Sequence, residues 1–316
     1  GHRNWDYRYT WTRDTAMAVR AANLLGCRSE AREFFHFVRD TLERDRKLQI
    51  MYTIDGGRVP DERTLDHISG YRGCKPVRVG NGARDQVQLD TTGALMDAAY
   101  VYERGGGSLT ARGWRRLREV VDHVAANWAE PDQGLWEPRA GKRPNVQSKL
   151  MSWLALRRGA ELAPLFGDLD LRRRWQAVAD ELHAELCVRG LDAAGKQFVA
   201  AYDHDHPDAS VLLLPIHGFV PPSDERILNT VEWIRHDLGD GHGIVLQQEA
   251  LNFGRRYVLA AYLHHVLEPA GEREPSLRIE RAKVAGMEEA GLVKRFRVAL
   301  RIVVVPVEYR PPFVGD

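Results

Sequence analysis

Thr110-Ala111-Arg112-Gly113-Trp114-Arg115-Arg116-Leu117-Arg118-Glu119-Val120-Val121-Asp122-His123-Val124-Ala125-Ala126-Asn127-Trp128 decides the fold class. Trp114, Leu117, Val121, Val124 and Trp128 recur at the three- and four-residue spacing of one helix face, with charged residues between them. Thr110 stands where an N-cap belongs, and its hydroxyl can accept from a free N–H of the first turn. The same rhythm recurs on both sides. After Asp14, the residues Met17, Ala21, Leu24 and Leu25 share a face, and Gly26 ends the run. Ser29 is placed to cap a helix with Ala31, Phe34, Phe35, Val38 and Leu42 on its stripe. Asp170 opens another with Leu171, Trp175, Val178, Leu182 and Leu186, and Ser223 opens one with Ile227, Val231, Ile234 and Leu238. Residues 88–103 and 145–157 are apolar around most of their circumference and read as inner helices. Their polar residues, among them Gln88, Asp90, Gln147, Ser148 and Lys149, then need partners or a cavity. The chain is read as all-α.

Composition bounds the function. The 316 residues are 44% hydrophobic and 28% charged, ordinary for a globular chain. A net charge of +1, with Lys and Arg scattered among acids, points to no nucleic acid and no membrane surface as partner. No apolar run reaches the roughly 18 residues of a membrane span. Cys27, Cys74 and Cys187 are odd in number and widely spaced, which fits neither a disulfide framework nor a zinc site and suggests a reducing, cytoplasmic setting.

Three long connections, 44–86, 128–144 and 188–207, interrupt the helices, and long loops in a helical domain are usually functional. Before the first helix, Asn4-Trp5-Asp6-Tyr7-Arg8-Tyr9-Thr10-Trp11-Thr12-Arg13-Asp14 alternates aromatics with charges. Aromatic faces suit the C–H faces of sugars, and Arg and Asp suit their hydroxyls. An aromatic edge strand with surface ion pairs has the same alternation. In Glu130-Pro131-Asp132-Gln133-Gly134-Leu135-Trp136-Glu137-Pro138, Glu137 follows an apolar ring. Burial of that kind keeps a carboxyl protonated near neutrality, as a general acid requires. The competing reading is an exposed acidic turn. In Gly80-Asn81-Gly82-Ala83-Arg84-Asp85-Gln86-Val87-Gln88-Leu89-Asp90, the side chains of Asn81, Asp85 and Gln88 can bind hydroxyls, or Asp85 can simply cap a helix. Asp203-His204-Asp205-His206-Pro207-Asp208 has the letters of a metal cluster but reads as a solvated turn.

Together these stretches resemble glycoside hydrolase family 15, the glucoamylases and related trehalases, in its bacterial or archaeal branch. The resemblance rests on Tyr9-Thr10-Trp11-Thr12-Arg13-Asp14, on Leu48-Gln49-Ile50-Met51-Tyr52 followed by Gly70-Tyr71-Arg72-Gly73, and on Gly80–Asp90. It continues in Gly134-Leu135-Trp136-Glu137, Ser148-Lys149-Leu150-Met151-Ser152-Trp153 and Asp208–Pro215. It implies an (α/α)6 barrel of the six-hairpin glycosidase type over residues 1–240, incomplete at the C-terminal end. It also implies hydrolysis of an α-glucan or an α-linked glucose disaccharide with inversion, without cofactor or metal. Glu137 matches the general acid. Arg13 and Asp14 match the pair that grips the terminal glucose, and Tyr7, Trp11 and Trp136 match aromatics around it. Asn81, Asp85, Gln88 and Lys149 are further candidates for the sugar site.

The family supplies its general base late in the barrel, from Ala-Glu-Glu-Tyr-Asp followed by Gly-Asn-Phe-Pro-Gln, and neither run occurs here. Glu288-Glu289-Ala290 and Glu308-Tyr309 share letters without the context, so the base is unassigned. Residues 241–316, rich in Arg and Glu over 273–301 and with a strand-like run at Leu300–Val307, read as a divergent segment. Either hydrolysis has been lost, leaving a sugar-binding remnant, or this segment is out of register with the family, as a frame change would produce.

Overall fold

The computed structural model describes residues 5–237 apart from 140 and 203. The segment 241–316, with its strand-like run and both Glu-containing look-alikes, lies outside the described residues. Eight α-helices follow one another among those described: α1 (Thr12–Leu24), α2 (Arg28–Asp45), α3 (Asp90–Arg104), α4 (Ala111–Asn127), α5 (Val146–Leu162), α6 (Leu169–Arg189), the short α7 (Leu213–Ile216) and α8 (Glu225–Asp237). They alternate between two layers, the arrangement of an (α/α)6 barrel. Helices α1, α3 and α5 lie side by side as inner staves, and α2, α4 and α6 back them.

Sequence explains the layering. Helix α3 is buried continuously from Asp90 to Ala99, and α5 from Val146 to Leu156, so both carry apolar or small residues on every side. The outer helices bury one stripe only: Ala31, Phe34, Phe35, Val38 and Leu42 on α2, and Trp114, Leu117, Val120, Val121 and Val124 on α4. Thr110 caps α4 as expected, its Oγ1 accepting from the Gly113 N–H at 3.0 Å. Between α4 and α6, Trp114 stacks on Phe166 at 4.8 Å and meets Trp175 edge-on at 6.0 Å. Inner helices approach closely where side chains vanish. A Cβ on Gly93 of α3 would sit 2.3 Å from the Met151 carbonyl oxygen of α5.

Some helix details differ from expectation. Helix α1 turns Thr12, Arg13, Ala16, Val19 and Asn23 inward, whereas Met17 and Leu24 are exposed. The apolar stripe misleads because this stave carries polar groups of the cleft on its buried face. Ser29 is not a cap: α2 starts one residue earlier, and the Ser29 hydroxyl bonds Glu30. At α8, Asp224 rather than Ser223 does the capping, accepting from the Arg226 N–H at 2.9 Å.

The segment before α1 and the helix–helix connections hold the remaining structure. Thr10–Trp11 (β1) pairs antiparallel with Met51–Tyr52 (β2), and Arg63–Thr64 (β3) with Arg78–Val79 (β4). No helix of the described residues is long and apolar enough to cross a membrane.

Candidate active site

The N-terminal ends of α1, α3 and α5 lie at the same end of the barrel, and the 128–145 connection folds over them. The two-residue ribbon β1–β2 sets the first of these ends. Thr12 donates its N–H to the Ile50 carbonyl and its hydroxyl to the Gln49 carbonyl, both at 2.9 Å. This fixes Trp11 and Arg13 on either side of the helix start. The preceding segment is tied down by buried Asp6. Its carboxylate accepts from Arg8, from the Tyr9 hydroxyl at 2.8 Å and from the Gly80 N–H at 3.1 Å. Hydrogen bonds from Arg8 above all hold that carboxyl well below the usual range.

Glu137 sits at the centre. Its Oε1 accepts from the Trp11 indole at 2.9 Å, from Gln88 Nε2 at 3.2 Å and from Arg13 Nη2 at 3.4 Å. Among the described residues, no donor reaches Oε2. Glu137 has a left-handed backbone, φ +51°, which a non-glycine residue adopts only where the surroundings enforce it. The turn before it begins at Gly134, φ +70°, where a Cβ would lie 2.7 Å from Asn145 Nδ2. The side chain of Glu137 is 21% exposed, so it is not the exposed acidic turn of the competing reading.

Arg13 organises the floor. Its Nη1 donates to Gln88 Oε1 at 2.8 Å and approaches Asp90 Oδ2 at 3.2 Å, and Nη2 lies 3.5 Å from Asp14. Burial works against its charge, but Asp90, Asp14 and Glu137 together outweigh it and raise its pKa. Asp90 is fully buried. Burial pushes its carboxyl up to about 6, against the pull of Arg13 and with a further push from Asp132. Gln88 is held in turn by Gln86, whose Oε1 accepts from Gln88 Nε2 at 3.0 Å and whose Nε2 donates to the Pro138 carbonyl at 3.0 Å.

Above this floor lies an open cleft of about 620 Å³, lined among others by Tyr7, Trp11, Arg13, Asp14, Trp136 and Glu137. All six are site residues expected from sequence, and they converge. Tyr7 and Trp136 are exposed, and the Tyr7 ring lies 5.5 Å from that of Trp11. The Trp136 indole donates to Asp208 Oδ2 at 2.7 Å. The apolar ring against Glu137 is therefore that of Trp11, with Trp136 forming an outer wall.

The other candidates divide. Gln88 touches Glu137 directly. Asn81 is buried and structural, accepting from the Ala83 N–H and donating to the Asp6 carbonyl. Asp85 neither caps α3 nor lines the cleft; it is exposed and paired with Arg58 and Arg84. Lys149 is 1% exposed, donates to the Trp128 and Glu130 carbonyls, and has its pKa lowered by burial. It pins the start of the 128–145 connection from below. His204 and His206 stack at 5.7 Å, and no group of three metal-ligating side chains occurs among the described residues. Sequence reasoning did not single out Gln86 or Asp132, nor Asp90 as the Arg13 partner. An Asp opening an otherwise apolar inner helix was the available signal for Asp90.

Comparison with known proteins shows the family. The sequence profile of "Glycosyl hydrolases family 15" matches residues 2–263. A trehalase of Mycobacterium tuberculosis is 39% identical over 251 residues, covering 78% of this chain and 37% of that protein. A trehalase of Thermoplasma acidophilum is 37% identical over 238 residues, covering 75% and 41%. The chain thus spans less than half the length of these relatives. A glycosidase variant solved in complex with glucose superposes with a TM-score of 0.61 at 18% identity, covering 82% of this chain and 73% of that one.

Proposed function

Because the chain belongs to glycosyl hydrolase family 15, we propose that it is an O-glycosyl hydrolase of α-glucosides in which Glu137 is the general acid. The observation that carries this reading is the asymmetry of one carboxyl group. Oε1 takes three donors, from Trp11, Gln88 and Arg13, which fix its orientation. Oε2 is the oxygen left to carry a proton toward the cleft. A terminal glucose stacks against Tyr7 and Trp11, with Arg13 and Asp14 on its hydroxyls, so that the glycosidic oxygen meets Oε2. Proton transfer to that oxygen lets the bond break, and water completes the reaction from the opposite face. Inversion calls for a second carboxylate roughly 6.5–9.5 Å away. Among the described residues the cleft presents only Glu137 and Asp14 as carboxylates, and Asp14 sits with Arg13 on the glucose-gripping side. The base is assigned to neither.

The names of the relatives favour trehalose over a starch-like chain. The test is a product assay on trehalose, maltose and maltotriose, with anomers followed by proton NMR. The reading expects trehalose to give α- and β-glucose in equal initial amounts. Exclusive formation of α-glucose would mean retention and reject the inverting scheme. Glucose release from maltotriose but not trehalose would make the activity glucoamylase-like. A second reading, a sugar-binding chain without turnover, is favoured by the lack of a second acting carboxylate among the described cleft residues. It expects glucose binding by calorimetry with no release from any substrate.

A further inference from the structure

Glu137 does not hold itself in place. Its backbone is in a left-handed conformation, in a turn whose stem must be clamped. Asp132, five residues earlier and 1% exposed, occupies that stem. Its Oδ2 accepts from the Leu89 N–H at 2.9 Å and from the Ser148 hydroxyl at 2.8 Å. Its Oδ1 accepts from Asn145 Nδ2 at 2.9 Å. Backbone bonds between Asp132 and Arg143, at 2.9 and 2.8 Å, close the loop behind it.

These partners are not interchangeable. Leu89 follows Gln88, a donor to Glu137, and leads into α3. Ser148 and Asn145 belong to the start of α5. Asp132 itself lies in the stem of the turn that runs from Gly134 to Glu137. One side chain thus joins the acid's turn, the acid's neighbour and two inner staves. Burial raises the Asp132 carboxyl, yet its three donors suit a carboxylate, which accepts on both oxygens.

We propose that Asp132 is a positioning residue, whose buried carboxylate sets Glu137 against Trp11, Arg13 and Gln88 by tying the stem of its turn to Leu89 and to the start of α5. It touches no substrate. An amide in its place keeps the shape and reverses one contact. With nitrogen at the Oδ2 position it confronts the Leu89 N–H. With nitrogen at Oδ1 it confronts Asn145 Nδ2, which cannot turn over without losing its bonds to the Asp132 and Arg143 carbonyls. Either way one of the joined segments must move. Displacement of a reacting group by about 1 Å can lower a rate about 100-fold.

The proposal rests on Glu137 as the acid for its catalytic meaning, but its structural content is read without turnover. The Trp11 indole N–H bonds Glu137 Oε1, so its resonance senses both the placement and the ionisation of that carboxyl. The experiment records the indole N–H resonances of the full chain, labelled with nitrogen-15 tryptophan, through a pH titration. Trp11→Phe assigns the peak, and Glu137→Gln identifies the part of its movement due to Glu137. Asp14, Arg13 and Asp90 also face this group, and what they contribute persists in Glu137→Gln. In Asp132→Asn the Glu137-dependent movement is expected to be lost or displaced, while the core indoles of Trp153 and Trp175 keep their positions. On trehalose, kcat is expected to fall 10- to 100-fold with KM within about threefold. Should Asp132→Asn fail to fold, Ser148→Ala removes one donor from the same oxygen and is expected to give a smaller displacement of the Trp11 peak. A folded Asp132→Asn, or Ser148→Ala in its stead, with the wild-type Trp11 titration overturns the proposal. A wild-type Trp11 titration that depends on Glu137, in a chain that releases no glucose, counts against hydrolysis and leaves the placement claim open to the same variants.

Discussion

Replacing Asp90 by Asn should change how stability depends on pH, with a sign and size that follow from its surroundings. Asp90 is fully buried beneath Glu137, with Arg13 at 3.2 Å as its charged partner. That Arg13 is shared with Glu137 and Asp14, and burial outweighs its pull, so the carboxyl moves from 3.8 up to about 6. The folded protein therefore holds this proton more tightly than the unfolded chain. Between pH 3.8 and about 6 the native state binds more protons, so its stability falls as pH rises through that window. A displacement of this size corresponds to about 3 kcal/mol. An Asn at this site does not titrate. The difference in urea unfolding free energy, wild type minus Asp90→Asn, should become about 3 kcal/mol less favourable to wild type between pH 3.5 and 6.5. Other carboxylates titrate in both proteins and cancel to first order. A difference that stays flat would refute the reasoning. A difference moving the other way would mean that Arg13 dominates and holds Asp90 ionised at low pH.

Other consequences are simpler to read. Gly93→Ala should lose at least about 2 kcal/mol in urea unfolding, because the new Cβ would meet the Met151 carbonyl at 2.3 Å and force α3 from α5. Helix propensity alone would give a gain of about 1 kcal/mol, so equal or higher stability would contradict the close approach. Trp11→Phe keeps an aromatic face, though a smaller one, and removes the shortest of the three donors to Glu137 Oε1, at 2.9 Å. It should lower kcat/KM on trehalose about 10- to 100-fold, the range for a lost hydrogen bond to a charged group. A change below about threefold would detach the indole N–H from the acid's orientation.

The outer helices were legible because an amphipathic stripe has one physical cause. On α2 and α4 the residues spaced for one face are those buried. Helix α1 was misread at Met17 and Leu24, because a stave that lines a cleft buries Arg13 and Asn23 for their partners, not for their hydrophobicity. At the site, Tyr7, Trp11, Arg13, Asp14, Trp136 and Glu137 were recognisable as a set by resemblance, and they share one cleft. Residue chemistry alone left each with a bland alternative. Lys149 and Asn81 show the limit of such reasoning. A polar residue inside a matching motif can serve backbone carbonyls and loop closure, as these do, and spacing along the chain does not separate that role from sugar binding. Asp132 went unread for the same reason, since its partners at 89, 145 and 148 converge only after folding.

The proposed role of Glu137 is to give its proton to the departing oxygen. α-Glucosyl fluoride tests it most directly, because fluoride leaves without a proton from an acid. Hydrolysis of trehalose and of α-glucosyl fluoride by Glu137→Gln and wild type should be measured side by side. The variant is expected to lose about 100- to 10,000-fold on trehalose and to stay within about tenfold of wild type on the fluoride. Trehalose hydrolysis by Glu137→Gln at the wild-type rate would contradict that role.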